Sequence, residues 1–382
     1  MRIAVAHEWL TNWAGSERVA EQLVDVAAAE QLVVSVADPA LAEQRFPDVR
    51  VRPLWPSRLP AARTKWPRYA IPMMRAWSTA RIEADALLVS SHFAAHLATR
   101  RFEGPSIVYY HTPARMLWRT ETELARLPRA ARRVVSTAVL PALRERDRIA
   151  AQHATVVLGN SCAVAERINA AYGRRAQVVH PPVDVARWAS VPSGDRSHLL
   201  WLGRLVPYKR PDLAVEVARR TGIRLVVIGD GPERARLERD APSHVRFLGH
   251  CPDHIVREAV AGARMLLFPG EEDFGIAPVE ALAAGVPVIA LASGGALDYV
   301  RQGLNGLLVG REDPDEFAAA IRSAWSHSWD ERAIRRSADA FSVGRFRAEL
   351  ASVLDVALGP AWRTSTSPSA RQLAATMRRE ST

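Results

Sequence analysis

Cysteine and lysine are almost absent from this chain. Of 382 residues only Cys162 and Cys251 are cysteines, which excludes a disulfide framework and a cysteine-based zinc site. A reducing, cytoplasmic setting is therefore expected. Long hydrophobic runs are missing too. The longest, "ALAAGVPVIALA", is too short to span a bilayer and is broken by Gly285 and Pro287. The opening "MRIAVAHEWL" reads as a buried strand, with no apolar stretch of signal-peptide length behind a basic start. "VIGDGPE" lacks the GxGxxG spacing of a dinucleotide-binding turn. No Asp-x-Asp stands near a strand end of the first half, so no metal ligand set is assigned.

What is present has a globular composition, 48% apolar and 24% charged. The net charge of +10 is uneven: residues 1–185 carry +8 and the remainder +2. The excess concentrates in residues 50–81, "RVRPLWPSRLPAARTKWPRYAIPMMRAWSTAR", which hold eight basic residues, no acid, and Trp55, Trp66, Tyr69 and Trp77. Three readings stay open for this stretch. It is a solvated arginine face over core tryptophans, a contact for an anionic membrane surface, or a contact for a nucleic-acid backbone.

Short β-branched runs alternate with helix-length amphipathic segments, the pattern of parallel α/β sheets. One series of strands runs from "RIAVAH" to "AQVVHPP", a second from "HLLWLGRL" to "PVIALAS". The expected organisation is two Rossmann-like, doubly wound domains over residues 1–185 and 198–358. A linker at 186–197 joins them and a polar tail covers 359–382. Ligands of open α/β folds bind outside the carboxyl ends of the strands, so a cleft between the two sheets is the expected site.

Two segments carry the chemistry. "WLGRLVPYKRPDL" places Gly203, Arg204 and Lys209 between a strand end and a helix start, a seat for a phosphate or diphosphate. Only Lys65 and Lys209 are lysines against 49 arginines. In a chain so biased, a lysine marks a position that wants a compact point charge. "GEEDFGIAPVE" places Glu272 in a loop and Glu280 inside the following helix. Gly275 permits close backbone approach, Pro278 fits a first helical turn, and the N–H groups around Phe274, Gly275 and Ile276 would face an anion. A ligand with phosphates and many hydroxyls, a nucleotide sugar, meets all of these demands.

"GRLVPYKRPDLAVE", "VVIGDGPE", "VRFLGH" and "EDFGIAPVEALAAGVPVIA" resemble the retaining glycosyltransferases of the GT-B fold, of family 4 type. In the first half, "AHEWLTNWAGSERVAEQLV", "LLVSSHFAAH", "YYHTPARMLW", "VLGNSCAVAERI" and "VVHPPVD", with "SGGALDYV" in the second, resemble bacterial mannosyltransferases of O-antigen and exopolysaccharide assembly. The resemblance covers roughly residues 1–355. It implies that Glu280 binds the ribose hydroxyls of the donor and that Glu272 sits by the transferred sugar. Arg204 and Lys209 would hold the diphosphate, His111 would contact the sugar or the transferred oxygen, and Gly15 and His250 would line the donor.

Two departures stand out. The usual Gly-Gly of the glycine loop is Ala14-Gly15, and the acid expected in "RMLWR" is Arg119. The implied activity is a hexosyl transfer, with mannose from GDP-mannose as the first choice, onto a lipid-linked or glycan acceptor, with no cofactor and no metal. Residues 50–81 would hold the enzyme peripherally at the inner membrane face, and no nucleic acid is expected as a partner. A UDP-sugar donor, a sugar-nucleotide 2-epimerase, and a surface- or nucleic-acid-binding protein with a relic sugar site are the alternatives.

Overall fold

The computed structural model describes residues 1–120, 128–360 and 362–363. They form two compact units. The first holds residues 1–160, 164–179 and those from 347 on, and the second residues 161–163 and 180–346. The change of unit at residues 179–180 precedes the expected boundary at 185, and the stretch expected as linker, 186–197, lies inside the second unit. Most of the expected polar tail, residues 364–382, lies outside the described residues.

The first unit is built on a seven-stranded parallel sheet. Its strands are β1 Ile3–Leu10, β2 Gln31–Ala37, β3 Arg50–Pro53, β4 Ala86–Ser91, β5 Ser106–Tyr110, β6 Val156–Gly159 and β7 Gln177–Val178, in the order β3-β2-β1-β4-β5-β6-β7. β1 and β4 are buried along their whole lengths, as a parallel sheet covered on both faces requires. Helix α1, Gly15–Ala27, follows β1 with a strongly one-sided apolar pattern that buries Val19, Ala20, Leu23 and Val24. The basic–aromatic stretch folds into short helical turns ending in the helix Ala70–Thr79, whose Met73, Ala76 and Trp77 enter the core.

The second unit carries a six-stranded parallel sheet in the order β10-β9-β8-β11-β12-β13. The strands are β8 His198–Leu202, β9 Leu225–Ile228, β10 Val245–Gly249, β11 Ala263–Phe268, β12 Val288–Leu291 and β13 Gly306–Val309. Helices α2, Pro211–Thr221, and α3, Ile276–Ala283, follow β8 and β11. In both sheets the sequence order reverses beside the first strand, β1 or β8, the switch point at which open α/β sheets bind ligands.

Strands β3 and β13 were not expected. Each is an edge strand of only four residues, "RVRP" and "GLLV"; the first is basic and ends in proline, and the second is too short to stand out from the turns around it. The last helix, α4, Val343–Leu358, passes at Arg347 into the first unit, where that arginine donates to Gln22 and pairs with Asp25 of α1. Among the described residues no helix is long and apolar enough to cross a membrane.

Candidate active site

In the second unit, two loops leave neighbouring strands and meet. After β8 the chain makes a tight turn, Pro207–Lys209, before α2 begins at Pro211. After β11 comes the acidic loop that precedes α3. The Lys209 ammonium donates to Glu272 Oε1 across 2.6 Å, with both side chains less than one-fifth exposed. Gly203 makes room for this pair: a side chain there would begin 3.6 Å from the Lys209 Nζ. Arg204 is solvent-exposed, and its side chain makes no hydrogen bond or ion pair among the described residues. The two cations expected to act together are thus held differently, one locked to a carboxylate and the other open to solvent.

Gly275 caps α3 with φ 90°, in the left-handed region that favours glycine. A Cβ there would lie 2.8 Å from the Phe268 ring and 2.9 Å from the Tyr299 hydroxyl. The first N–H groups of α3, from Ile276 on, have no acceptor within the helix. Glu280 lies on α3 and is 9% exposed. Phe274 does not offer its side chain to a ligand. Its ring is buried against Tyr299, His180 and Phe341 at 5.4–5.7 Å, so only its backbone can serve a donor. Ile276 is half-buried against the same core. His250 is exposed after β10, and among the described residues no contact joins it to Lys209, Glu272 or Glu280.

Sequence reasoning missed what shapes the acidic loop. The Gly295 N–H donates to the Glu272 carbonyl at 3.0 Å. Gly294, at φ 61°, lies so close that a Cβ would fall 2.1 Å from that carbonyl oxygen. The signal was present, since "SGG" follows a strand end, where paired glycines permit close backbone approach. Tyr299 was missed as well. Its hydroxyl is buried without a hydrogen-bond partner among the described residues. Burial, with Glu272 and Asp298 nearby, pushes its pKa well above the ordinary tyrosine value, so it is a neutral donor beside Gly275. His180, before the paired prolines, is held by Asp298 at 3.0 Å.

The first unit gathers a separate group. His111 follows β5, and its backbone N–H donates to the Ser91 carbonyl. Its Nε2 lies 2.8 Å from Ser90 Oγ, which in turn lies 3.0 Å from His7 Nδ1. Burial, then His92 and His7, push the His111 pKa well below the ordinary histidine value, so the ring is neutral at pH 7. Gly15 opens α1. Ala14 just before it donates its N–H to the Glu17 carboxylate at 3.0 Å.

His7 and Glu8, neighbours on β1, are fully buried. Glu8 Oε1 accepts from Ser91 Oγ and from the N–H groups of His92, Phe93, Ala94 and Ala95. A second buried centre pairs His96 with Asp147 at 2.9 Å, and Asp147 also accepts from Trp118 and Tyr172. Trp118, which precedes Arg119, donates its Nε1–H to Asp147, 29 residues later.

These two sheets define a GT-B fold. Anabaena Alr3699/HepE, solved in complex with UDP, superposes with a TM-score of 0.70 at 17% identity, over 93% of this chain and all of its own. The lipopolysaccharide outer core galactosyltransferase WaaB, in its apo form, does so with a TM-score of 0.68 at 17% identity, over 94% of this chain and all of its own. The family model for Glycosyltransferase Family 4 matches residues 13–187, and that for Glycosyl transferases group 1 matches residues 183–340. The chain belongs to the GT-B glycosyltransferases that join these two halves. Among curated relatives, a D-inositol 3-phosphate glycosyltransferase of Geodermatophilus obscurus is 33% identical over 45% of this chain and 45% of its own length. A GDP-mannose-dependent alpha-mannosyltransferase of Mycolicibacterium smegmatis is 37% identical over 35% of this chain and 34% of its own. The chain thus spans less than half the length of these relatives.

Proposed function

We propose that this protein is a retaining mannosyltransferase that uses GDP-mannose and builds onto a lipid-linked or glycan acceptor. The observation that carries the reading is the Lys209–Glu272 pair, held on loops from the adjacent strands β8 and β11 beside the Gly275 start of α3. A cation, a carboxylate and a helix N-terminus at one sheet end suit a ligand that has both phosphates and hydroxyls. The curated mannosyltransferases that use GDP-mannose support the choice of donor.

In this reading Lys209 and Arg204 hold the donor diphosphate and stabilise its charge as it leaves, in place of a metal. Glu280 accepts from the ribose hydroxyls, and Glu272 sits by the sugar. Gly203, Gly275 and the backbone at Phe274 and Ile276 approach the donor closely, with Gly15 and His250 as further donor contacts. His111 contacts the transferred sugar. Attack proceeds on the face the diphosphate leaves, and the diphosphate takes the acceptor's proton. The protein's part is then positioning and electrostatics.

A UDP-sugar donor is the second reading, favoured by the HepE structures with UDP and UDP-glucose. The exposed face of residues 50–81 supports residence at an anionic membrane surface on the cytoplasmic side. Arg58, Arg63, Lys65, Arg68 and Arg75 point to solvent there, with Trp55 45% and Ile71 74% exposed.

Calorimetry with GDP, UDP and ADP, repeated on Glu280→Ala, tests the donor site. One nucleotide should bind tightly and lose at least tenfold in affinity in the variant. Equal binding by both proteins, or binding of none, would refute the nucleotide-sugar reading.

A further inference from the structure

The four groups Glu17, His7, Ser90 and His111 form a chain through the first unit. Glu17 Oε1 lies 3.7 Å from His7 Nε2, His7 Nδ1 lies 3.0 Å from Ser90 Oγ, and Ser90 Oγ lies 2.8 Å from His111 Nε2. Glu17, His7 and Ser90 are all at most 1% exposed. His111 is half-buried, and its Nδ1 makes no hydrogen bond among the described residues.

Each link has a direction. A buried carboxylate accepts only. Glu17 is kept as a carboxylate: burial works against its charge, but the contact with His7 and the helix start outweigh it and lower its pKa below the ordinary value. At pH 8 an ordinary imidazole carries one proton. The Glu17 carboxylate, 3.7 Å from Nε2 and beyond hydrogen-bond length, draws that proton to Nε2 by charge alone and leaves Nδ1 as an acceptor. The Ser90 hydroxyl must donate to that Nδ1. Its oxygen can then only accept from His111, so the His111 proton sits on Nε2.

We infer that Glu17, His7 and Ser90 are positioning residues that set the tautomer of His111, leaving its Nδ1 as a hydrogen-bond acceptor for a substrate hydroxyl. This rests on the glycosyltransferase reading for the identity of the hydroxyl, which belongs to a sugar. It makes His111 a group that accepts from an O–H and cannot donate to a ring oxygen or a carbonyl through that atom. The other groups facing His111 are His92 and Tyr109, with ring centroids at 5.8 and 5.2 Å, and neither is hydrogen-bonded to it.

Removing the Glu17 charge should invert the direction of every link. Glu17→Gln keeps an oxygen for the Ala14 N–H and turns an amide N–H toward His7. The His7 proton then moves to Nδ1, Ser90 accepts there and donates to His111 Nε2, and the His111 proton moves to Nδ1.

The test is two-bond ¹H–¹⁵N correlation on the full-length protein with ¹⁵N-histidine, at pH 8 where ordinary histidine rings are neutral. His111 is assigned by its loss in His111→Gln. The wild type should show His111 protonated on Nε2, Glu17→Gln on Nδ1, and Ser90→Ala a mixture of both. A wild-type ring protonated on Nδ1, or a Glu17→Gln spectrum like the wild type, would overturn the inference. Should Glu17→Gln not fold, the wild type and Ser90→Ala decide the matter. The spectra need no donor, so a failure of nucleotide binding in calorimetry sinks the functional reading without touching this one. Where transfer is detected, Glu17→Gln should lower kcat/KM by about tenfold, the worth of one hydrogen bond turned from acceptor to donor. Glu17→Asp, which stays an acceptor, should keep the wild-type tautomer.

Discussion

Replacing Glu8 by alanine should destabilise the first unit more than any single change at the proposed donor site. Glu8 has no exposed surface. Its Oε1 accepts from four successive backbone N–H groups, of which Phe93, Ala94 and Ala95 lie at 2.7–2.9 Å and His92 at 3.2 Å, and from the Ser91 hydroxyl at 3.0 Å. Nothing else at this turn is anionic, so the carboxylate acts as the anion of a helix N-terminus supplied by a neighbouring strand. Each buried donor left unpaired costs about 1–3 kcal/mol. The alanine also leaves room for a water to satisfy some of them. The net loss in Glu8→Ala is therefore set at about 4 kcal/mol. Glu8→Gln keeps one oxygen without its charge, and about 1–2 kcal/mol should be lost. Urea unfolding followed by far-UV circular dichroism measures both, read from the midpoint at unchanged slope. A loss below about 1 kcal/mol in Glu8→Ala would show that the turn holds itself and that the anchor argument is wrong.

Two further outcomes follow from burial and charge. His111 in the first unit and His198 in the second both have pKa values pushed down, chiefly by burial. The unfolded rings protonate near the ordinary 6.5 while the folded ones stay neutral, so the unfolded state binds more protons and stability falls as pH drops below about 6.5. Urea midpoints between pH 8 and pH 5 should show this decline, and His111→Gln should flatten it; a slope identical to wild type would contradict the assignment. At the surface, sedimentation with anionic vesicles should weaken as salt rises, and Trp55→Ser with Ile71→Ser should weaken it further. Trp66→Ala should instead cost stability, because that ring stacks on Trp9 at 3.9 Å. Vesicle binding unchanged by the Trp55 and Ile71 changes would refute the membrane face.

The alternation of buried strands and amphipathic helices made the two sheets legible, because parallel strands covered on both faces write themselves as β-branched runs. β3 and β13 escaped because each is an edge strand of only four residues. The two loops at the strand ends of the second unit were singled out from residue chemistry, and the structure brings their Lys209 and Glu272 to 2.6 Å. What composition could not convey was which aromatic faces outward. Trp55, Trp66 and Trp77 look alike in sequence, yet one is exposed, one stacks on Trp9 and one is wholly buried. The Glu17–His7–Ser90–His111 chain joins four segments up to 104 residues apart, and no local pattern marks it. His7 and Glu8 are adjacent on β1, but a strand sends neighbours to opposite faces. One joins the His111 chain and the other anchors the turn after β4.

Lysine at 209 is where composition and geometry bear on the same question. A chain with 49 arginines and two lysines has a lysine where a guanidinium would form the stronger pair with Glu272. The surroundings give the reason. The ammonium lies 2.6 Å from the Glu272 oxygen, with both side chains less than one-fifth exposed. A planar guanidinium would grip the carboxylate through two parallel hydrogen bonds and keep its donors there. An ammonium with three rotatable donors can keep one on Glu272 and turn the others to a phosphate. Lys209→Arg is therefore expected to fold, with a melting temperature within a few degrees of wild type, while its affinity for a nucleoside diphosphate falls by about tenfold or more. Lys209→Ala, which leaves Glu272 unpaired, should lose both affinity and stability. If Lys209→Arg binds the nucleotide as well as wild type, position 209 needs only a positive charge, and the lysine reflects nothing about the ligand.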